Sequence, residues 1–327
     1  MGVLFMDSFD HYTTPGHKWV ASGGDIGAYG RNGTNGIRIQ HSSTNIARTC
    51  SNKGTLYLGV AAIFAAGQAG PVSICGFGDA GTNQVHIEIE PGNKIRAYRQ
   101  NIYNVLVTSD NPVQNLDVYH YYEVKVVFST SVGQIIVKVD GVEYINTSAN
   151  LNTSASGNAY ANNYWIGYGL CDWWNNRYYD DFWIADDQFY GDCRIQAISP
   201  TGAGNYAQWT PSAGSNWDCV EEKPPSTSEY ISSGTVGQID TYATGDVTPT
   251  AGTVVAVQGN FYCQKSDAGN RSIALATRLS STDDVGSTLV LPSSWGYMCD
   301  IKTTKPGGGA WTISDVNSAE FGVKMVA

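Results

Sequence analysis

The sequence predicts an all-β protein built from two β-sandwiches, and two observations support this class. Short segments in which apolar and polar residues alternate recur along the 327-residue chain, as in strands that bury one face. Between these segments, 37 glycines and many Asn and Asp residues supply turns. No segment keeps apolar residues at helical spacing for three turns, although residues 60–66 are a candidate for a short helix. Many short strands joined by such turns indicate a sandwich or a barrel.

The clearest predicted strand is residues 84–90, in which three apolar residues share one face. A Pro-Gly-Asn turn at 91–93 joins it to a second alternating run at 94–99, so the two form a hairpin. Asp140-Gly141 separates two further alternating runs, and this dipeptide is a strong hairpin signal. Additional strands are predicted at residues 55–60, 72–76, 105–109, 121–128, 134–139, 142–145, 164–168 and 178–185.

The composition of the chain changes near residue 198. Loop-like sequences at 199–204 and 224–228 are rich in Gly, Pro and Ser. New strands are predicted beyond them, at residues 237–242, 253–264, 271–278 and 321–326. We therefore predict an N-terminal sandwich over residues 1–198, followed at 199–327 by a linker and a second, smaller β-sandwich.

Charge and apolar content exclude several classes of partner. The net charge is −10, only 15% of residues are charged, and the 19 Lys and Arg form no cluster, so no nucleic-acid partner is expected.

The N-terminus has neither the basic region nor the apolar region of a signal peptide. The longest apolar run, 60–66, is far shorter than the roughly 18 residues of a membrane helix. The sequence predicts a protein made in a cytoplasm, with no membrane contact.

Seven cysteines leave two interpretations open. No pair has the CxxC spacing of a zinc site, and seven is an odd number, so at least one cysteine has no partner within the chain. The thiols are either buried as small apolar groups or cross-linked within or between chains after release into an oxidising medium. The candidates for cross-links are Cys50, Cys75, Cys171, Cys193, Cys219, Cys263 and Cys299.

Two positions on the 84–90 strand are candidates for sugar chemistry. Glu88 and Glu90 share a face with their Cα atoms about 7 Å apart, and glycoside hydrolases place two carboxylates about 5 to 9.5 Å apart. The alternation favours the other interpretation, a solvated strand face. Gln84-Val85-His86 resembles the Gln-Ile-His strand of sandwich-fold alginate lyases. The arginine-rich strand and the Tyr-x-Lys-x-Gly-x-Tyr strand of those enzymes are missing, so His86 is expected to be an exposed residue on a polar face.

Two further clusters suggest ligand contacts. Two tryptophans followed by amides and two tyrosines indicate a turn that stacks on sugars or anchors a protein interface, with one indole in the core and one outside. Its candidate residues are Trp173, Trp174, Tyr178 and Tyr179. Four aspartates either form a plain turn cluster or bind a calcium ion, which takes oxygen ligands. They are Asp180, Asp181, Asp186 and Asp187. No P-loop, H-E-x-x-H or G-x-S-x-G motif is present, so no cofactor is predicted.

Three stretches carry a family resemblance. Residues 5–12 (FMDSFDHY), and residues 137–141 (VKVDG) with 179–186 (YDDFWIAD), resemble concanavalin A-like (laminin G-like) jelly rolls. The third runs from Ala310-Trp311-Thr312 to residues 320–323 (EFGV). The order of all three, with Trp209 and Trp217 between them, resembles virion proteins of tailed bacteriophages.

The resemblance implies a non-enzymatic virion protein located in a neck, collar, decoration or tail-fibre position. Its partners would be other virion proteins and copies of itself, held through self-complementary or heterologous interfaces. Two alternatives stay open. One is a lectin-like module that binds host surface glycans, and the other is a polysaccharide-degrading enzyme that acts through Glu88 and His86.

Overall fold

The computed structural model describes residues 2–40, 44–64, 70–168, 176–248 and 251–327. It divides the chain into two compact units, Met1–Ile195 and Gln196–Ala327, whereas the sequence prediction put the boundary after residue 198. Nearly all regular structure in the described residues is β-strand, which confirms the predicted all-β class. Within those ranges no helix has the length and apolar character needed to cross a bilayer.

The N-terminal unit is a sandwich of an eight-stranded and a seven-stranded antiparallel sheet. In the first sheet the strand order is β13-β12-β11-β6-β15-β4-β3, with β1 also paired to β15, and in the second it is β10-β9-β8-β7-β14-β5-β2. The strands are β1 (Val3–Asp7), β2 (Val20–Ala21), β3 (Asp25–Gly27), β4 (Gly36–Ile39), β5 (Asn45–Lys53), β6 (Thr55–Phe64), β7 (Val72–Asp79), β8 (Thr82–Ile89), β9 (Lys94–Tyr98), β10 (Val105–Pro112), β11 (His120–Val127), β12 (Gln134–Val139), β13 (Val142–Asn146), β14 (Ala161–Gly167) and β15 (Arg177–Ala185).

The core of this unit lies between the two sheets. The ring of Tyr164 on β14 stacks on Phe182 of β15 at 5.7 Å, and Phe77 on β7 meets Phe128 at 5.9 Å. Because successive strand residues point to opposite faces, Phe77 and its partner Val85 on β8 face inward together. The side chains on the other side of β7, β8 and β14 therefore point away from the core.

Local sequence explains most of these strands and one wrong expectation. The predicted Asp140-Gly141 hairpin is present, since both residues have positive φ and Val139 pairs with Val142. The candidate helix at 60–66 is wrong over its described part, because β6 continues to Phe64 as a central strand between β11 and β15. A continuous apolar run is equally compatible with a strand buried on both faces.

The second unit is a smaller two-layer β arrangement. A six-stranded sheet has the order β16-β19-β25-β21-β22, with β23 also paired to β21, and β20 pairs with β24. Phe261 and Cys263 of β20 pack against Ile273 and Val323 of the larger sheet. The elements are β16 (Pro200–Ala207), β17 (Thr210–Pro211), β18 (Ile231–Ser232), β19 (Ile239–Thr244), β20 (Val257–Cys263), β21 (Ser272–Leu279), β22 (Thr282–Val285), β23 (Leu289–Val290), β24 (Gly296–Lys302), α1 (Ile313–Ser318) and β25 (Glu320–Met325).

Helix α1 was not predicted, yet its start carries a local signal. The Thr312 hydroxyl accepts a hydrogen bond from the backbone of Asp315, and the Asp315 carboxylate accepts one from the backbone of Thr312. This reciprocal capping box identifies the first turn of a helix. The helix is too short to show an apolar repeat, so periodicity alone misses it.

Candidate functional site

The side of the seven-stranded sheet that points away from the core carries an unusual set of side chains, and we refer to it as the outer face. Its central row crosses the four strands β9, β8, β7 and β14. Tyr98 pairs with His86, His86 pairs with Gly76, and Gly76 pairs with Trp165. In the next row Glu88 lies between Arg96 and Ser73. The outer face comprises Ser73, Gly76, His86, Glu88, Glu90, Lys94, Arg96, Tyr98, Asn163 and Trp165, with Tyr168 directly after β14.

His86 lies at the centre of the outer face and is enclosed by aromatic rings. Its imidazole stacks on Tyr98 at 4.9 Å with an interplanar angle of 17°, and the rings of Trp165 and Tyr168 lie 6.1 and 6.3 Å away. The side chain has no exposed surface. Burial lowers the pKa of His86 to about 3, assisted by the positive charges of Arg177 and Arg96, so the imidazole is neutral at physiological pH.

Glu88 is buried beside His86 and forms an ion pair with Arg96. The Arg96 guanidinium donates to Glu88 Oε1 through Nε, at 2.9 Å, and through Nη2. Its Nη1 lies 3.6 Å from Oε2 of Glu90. Burial raises the pKa of Glu88 above its ordinary value although the Arg96 charge opposes this. One arginine is therefore held between two carboxylates.

Buried polar atoms without a hydrogen-bond partner among the described residues are concentrated on the outer face. Such atoms are rare in proteins, because burying a polar group without a partner costs about 1–3 kcal/mol. They mark places where a water or a ligand belongs. On this face they are Ser73 Oγ, both ring nitrogens of His86, Glu88 Oε2, Asn163 Oδ1 and Trp165 Nε1.

Trp165 and Tyr168 provide the accessible aromatic surface. The Trp165 indole occupies the space above β7, where a Cβ atom on Gly76 would lie 2.2 Å from the ring. Glycine at position 76 therefore allows the indole to lie across the sheet. Tyr168 is 49% exposed and has a φ of +65°, a conformation that non-glycine residues adopt rarely and that often occurs at functional sites.

Gln84, which belongs to the lyase-like tripeptide, has a structural role. Its Nε2 donates to Ser156 Oγ and to the Tyr160 carbonyl, both at 2.9 Å, and its Oε1 accepts from the backbone of Ala155 and Ser156. A change of register in the β7–β8 ladder beside Gln84 turns the strand at this point. Gln84 thus anchors the 154–160 loop and does not extend the row of His86 and Glu88.

The prediction of a solvated polar face for residues 84–90 is wrong. Gln84, His86 and Glu88 have no exposed surface, because side chains of β9 and β14 and the 154–160 loop cover them. Trp165, Tyr98, Arg96 and the other residues of these strands were not identified as site residues from the sequence. Their alternation within the predicted strands at 94–99 and 164–168 placed them on one face, but only strand order brings that face to β8.

The predicted aromatic turn is only partly described. Trp173 and Trp174 lie outside the described residues. Tyr179 has no exposed surface and its hydroxyl donates to the Ser73 carbonyl at 2.6 Å, so its assignment as an interface or glycan residue is corrected. Tyr178 is half-buried, and its ring lies 5.4 Å from that of Tyr29.

The four aspartates considered for calcium have other partners. Asp180 accepts from the backbone of Arg31 at 2.7 Å, and Asp181 accepts from the Arg31 guanidinium at 2.9 Å. Burial, together with the neighbouring charge of Asp181, raises the pKa of Asp180 to about 7. Asp186 pairs with Lys53 at 2.7 Å. Asp187 accepts from the Tyr190 hydroxyl at 3.0 Å. The described ranges contain no group of three or more His, Cys, Asp or Glu side chains arranged to hold a metal ion.

The cysteines that the structure describes are not joined in disulfides. Cys75 is fully buried in β7, and burial alone raises its pKa well above the ordinary value. Burial also raises the pKa of Cys50 to about 11 and that of Cys193 to about 12. Cys171 lies outside the described residues. Of the described cysteines, none is paired in a disulfide, and they are Cys50, Cys75, Cys193, Cys219, Cys263 and Cys299.

No family model matches the chain, and no curated protein matches it. Among solved structures, alginate lyase Aly36B shares 10% identity over 59% of this chain and 98% of its own, with a TM-score of 0.41. The endo-β-1,3(4)-glucanase SCLam of family GH16 shares 12% sequence identity over 57% of this chain and 91% of its own, with a TM-score of 0.40. A Trypanosoma rangeli sialidase shares 10% sequence identity over 51% of this chain and 27% of its own, with a TM-score of 0.37.

The predicted role as a non-enzymatic virion component is therefore corrected. The three solved structures just described are named as a lyase, a glucanase and a sialidase, and none of them is a virion protein. Identities of 10–12% and TM-scores near 0.4 carry no activity over to this chain. The function is accordingly argued from the residues of the outer face.

Proposed function

We propose that the outer face of the N-terminal unit binds a carbohydrate chain. The observation that carries this proposal is the group of buried polar atoms without partners beside the rings of Trp165 and Tyr168. Sugars combine hydroxyls, which both donate and accept hydrogen bonds, with C–H faces that pack on aromatic rings. Ligand sites of proteins pair these same elements, aromatic walls and a few directed polar groups.

Elsewhere in the same unit, single buried atoms such as the Tyr122 hydroxyl and the Trp183 indole nitrogen also lack a partner among the described residues, whereas six such atoms lie together on the outer face. The buried carboxylate of Asp7 accepts hydrogen bonds from Tyr12, Trp19 and Lys18 side chains and from the backbone of Phe9. The network around Asp7 shows that the described residues can satisfy a buried charged group completely. On the outer face, hydroxyls of a ligand would provide hydrogen-bond partners and offset the cost of burying these polar groups.

Affinity electrophoresis in gels that contain soluble polysaccharides tests binding directly. Tyr168→Ala removes an accessible ring of the site, and Tyr103→Ala removes a tyrosine that is 88% exposed elsewhere in the same unit. We expect the wild type and Tyr103→Ala to be retarded by the same polysaccharides. Tyr168→Ala should weaken binding about fivefold or more, since loss of a contacting aromatic ring costs roughly 1 kcal/mol or more.

Two results would overturn the proposal. One is the absence of retardation by any polysaccharide in a panel that covers uncharged glucans, mannans and galactans as well as polyuronates. The other is an equal loss of retardation in the two tyrosine variants, which would place the binding surface away from the outer face.

A second candidate function, hydrolytic cleavage of the bound chain, is favoured by the state of Glu88. Its raised pKa and its Oε2 without a partner suit a proton donor to a glycosidic oxygen. Glu90, directly after β8 and two residues beyond Glu88, has a side chain that is 24% accessible and can serve as the second carboxylate of such a pair. The pair is the one considered from the sequence.

Release of reducing ends from a bound polysaccharide tests cleavage. Glu88→Gln should abolish the release while binding persists, because the amide keeps the shape of the side chain and cannot donate an acidic proton. Glu143→Gln, at an exposed position on β13, is the matched control and should retain full activity. Binding without any cleavage by the wild type would leave a binding module.

A further inference from the structure

We infer that the outer face selects uncharged polysaccharides over polyuronates, an inference that rests on the proposed carbohydrate-binding function. It follows from the arrangement of charges and of unpaired acceptors around the aromatic row. A polyuronate presents a carboxylate on each sugar, and a site for it needs cations or hydrogen-bond donors that are free to meet those carboxylates.

The cations of the outer face already have carboxylates opposite them. Arg96 lies across from Glu88 in the β8–β9 ladder and forms an ion pair with it. Lys94 lies across from Glu90, whose backbone N–H donates to the Lys94 carbonyl at 2.9 Å. The two cations and two carboxylates make the face neutral in sum, and a polyuronate would compete with Glu88 and Glu90 for Arg96.

His86 and Arg177 do not supply a positive charge to a ligand. The imidazole of His86 is neutral, because its burial opposes protonation. Arg177 has no exposed surface, belongs to β15 of the other sheet, and donates through Nε to the Ile39 carbonyl at 3.4 Å. Residues 1–195 contain twelve Lys and Arg against seventeen Asp and Glu, so the unit as a whole repels polyanions.

The unpaired atoms of the site distinguish the two ligand classes further. Glu88 Oε2, while ionised, and Asn163 Oδ1 are acceptors, whereas Trp165 Nε1 is a donor. One ring nitrogen of the neutral His86 is also a donor, and Ser73 Oγ can serve as either. A sugar hydroxyl can satisfy both kinds of atom, whereas a carboxylate can satisfy only the donors and adds a like charge beside Glu88. Uncharged sugar rings, which bear only hydroxyls, therefore match the site.

Calorimetric titration of the full chain with size-matched polymers tests the inference. The probes are an uncharged β-glucan, an uncharged mannan and a polymannuronate, each measured at low and at high salt. We expect an uncharged polymer to bind at least about tenfold more tightly than the polyuronate, with little dependence on salt. Glu90→Lys should strengthen polyuronate binding relative to binding of the uncharged polymer.

The outcomes separate the inference from the proposed function. Polyuronate binding that equals or exceeds binding of the uncharged polymers would overturn the selectivity and leave the carbohydrate-binding function standing. An absence of binding to every polymer in the panel would overturn the carbohydrate-binding function itself. An increase in the polyuronate affinity of Glu90→Lys would support the charge argument independently. The control is Lys138→Gln on β12, whose polyuronate affinity should equal that of the wild type.

Discussion

The imidazole of His86 lies parallel to the ring of Tyr98, 4.9 Å away, and has no exposed surface of its own. This contact joins β8 to β9 within the hairpin, and Trp165 reaches the same imidazole from β14, which is nearly eighty residues farther along the chain. A buried, neutral histidine among aromatic rings sets the chemical character of the outer face. Several measurable properties follow from it and from its neighbours.

Acidification should destabilise the N-terminal unit through His86. The folded-state pKa is lowered to about 3, so between that value and the ordinary 6.5 the unfolded chain binds more protons than the folded one. Stability contributed by the neutral imidazole is thus present above pH 6.5 and is lost as the pH falls. We expect a loss of up to about 3 kcal/mol at pH 4 in urea denaturation. His86→Phe should flatten this pH profile, and an unchanged profile would contradict the assignment.

Gly76→Ala should damage the site through Trp165. A Cβ atom at position 76 would lie 2.2 Å from the indole, so the ring must leave its place above β7. We expect a destabilisation of about 1–3 kcal/mol, together with loss of polysaccharide retardation. Gly16→Ala is the control, because a Cβ there meets no atom within 4 Å. Equal behaviour of the two variants in thermal melts would show that Trp165 does not depend on Gly76.

Gln84→Ala tests whether the lyase-like tripeptide has a catalytic or a structural role. Because Gln84 holds the 154–160 loop through side-chain bonds in both directions, its removal should cost about 2–4 kcal/mol and expose the loop to limited proteolysis. Polysaccharide binding by the folded fraction should persist. Gln114→Ala, at an exposed position with one long hydrogen bond of 3.4 Å, should have no effect. A stable Gln84→Ala protein that no longer binds would instead place Gln84 in the site.

Asp180→Asn should stabilise the protein at neutral and alkaline pH. The pKa of Asp180 is raised to about 7, so the folded state binds more protons than the unfolded state between its ordinary value of 3.8 and 7. The stability associated with the protonated carboxyl is present at pH 3 and is lost as the pH rises through 7. The asparagine oxygen can still accept from the backbone of Arg31, but the amide nitrogen would then face the backbone N–H of Asp181, which donates to Asp180 Oδ1, and this reduces the gain.

The measurement for Asp180→Asn is the melting temperature at pH 4 and at pH 8. We expect an increase of several degrees at pH 8, corresponding to about 1–2 kcal/mol, and little change at pH 4. A decrease at both pH values would contradict this prediction. It would mean that the ionised carboxylate of Asp180, which accepts from the backbone of Arg31, stabilises the fold. Asp187→Asn, on an exposed carboxylate that accepts from the backbone of Gln188 and from the Tyr190 hydroxyl, provides the comparison.

The sequence by itself determined the all-β class and many local elements. Alternation placed Val85, Ile87 and Ile89 on the inner side of β8, and Asp140-Gly141 marked a hairpin, because strand period and turn conformation depend on neighbouring residues. The short helix α1 carried a capping box that periodicity could not reveal.

Only the tertiary structure decided what the polar side of β8 does. A strand pattern states which residues share a face, and it does not state which strands lie beside it. The order β9-β8-β7-β14 brings Tyr98, Arg96 and Trp165 over His86 and Glu88, which converts an expected solvated face into a buried cluster with unpaired polar atoms. Long-range pairing therefore created the candidate site, because burial and electrostatics are properties of neighbours that are distant in the chain.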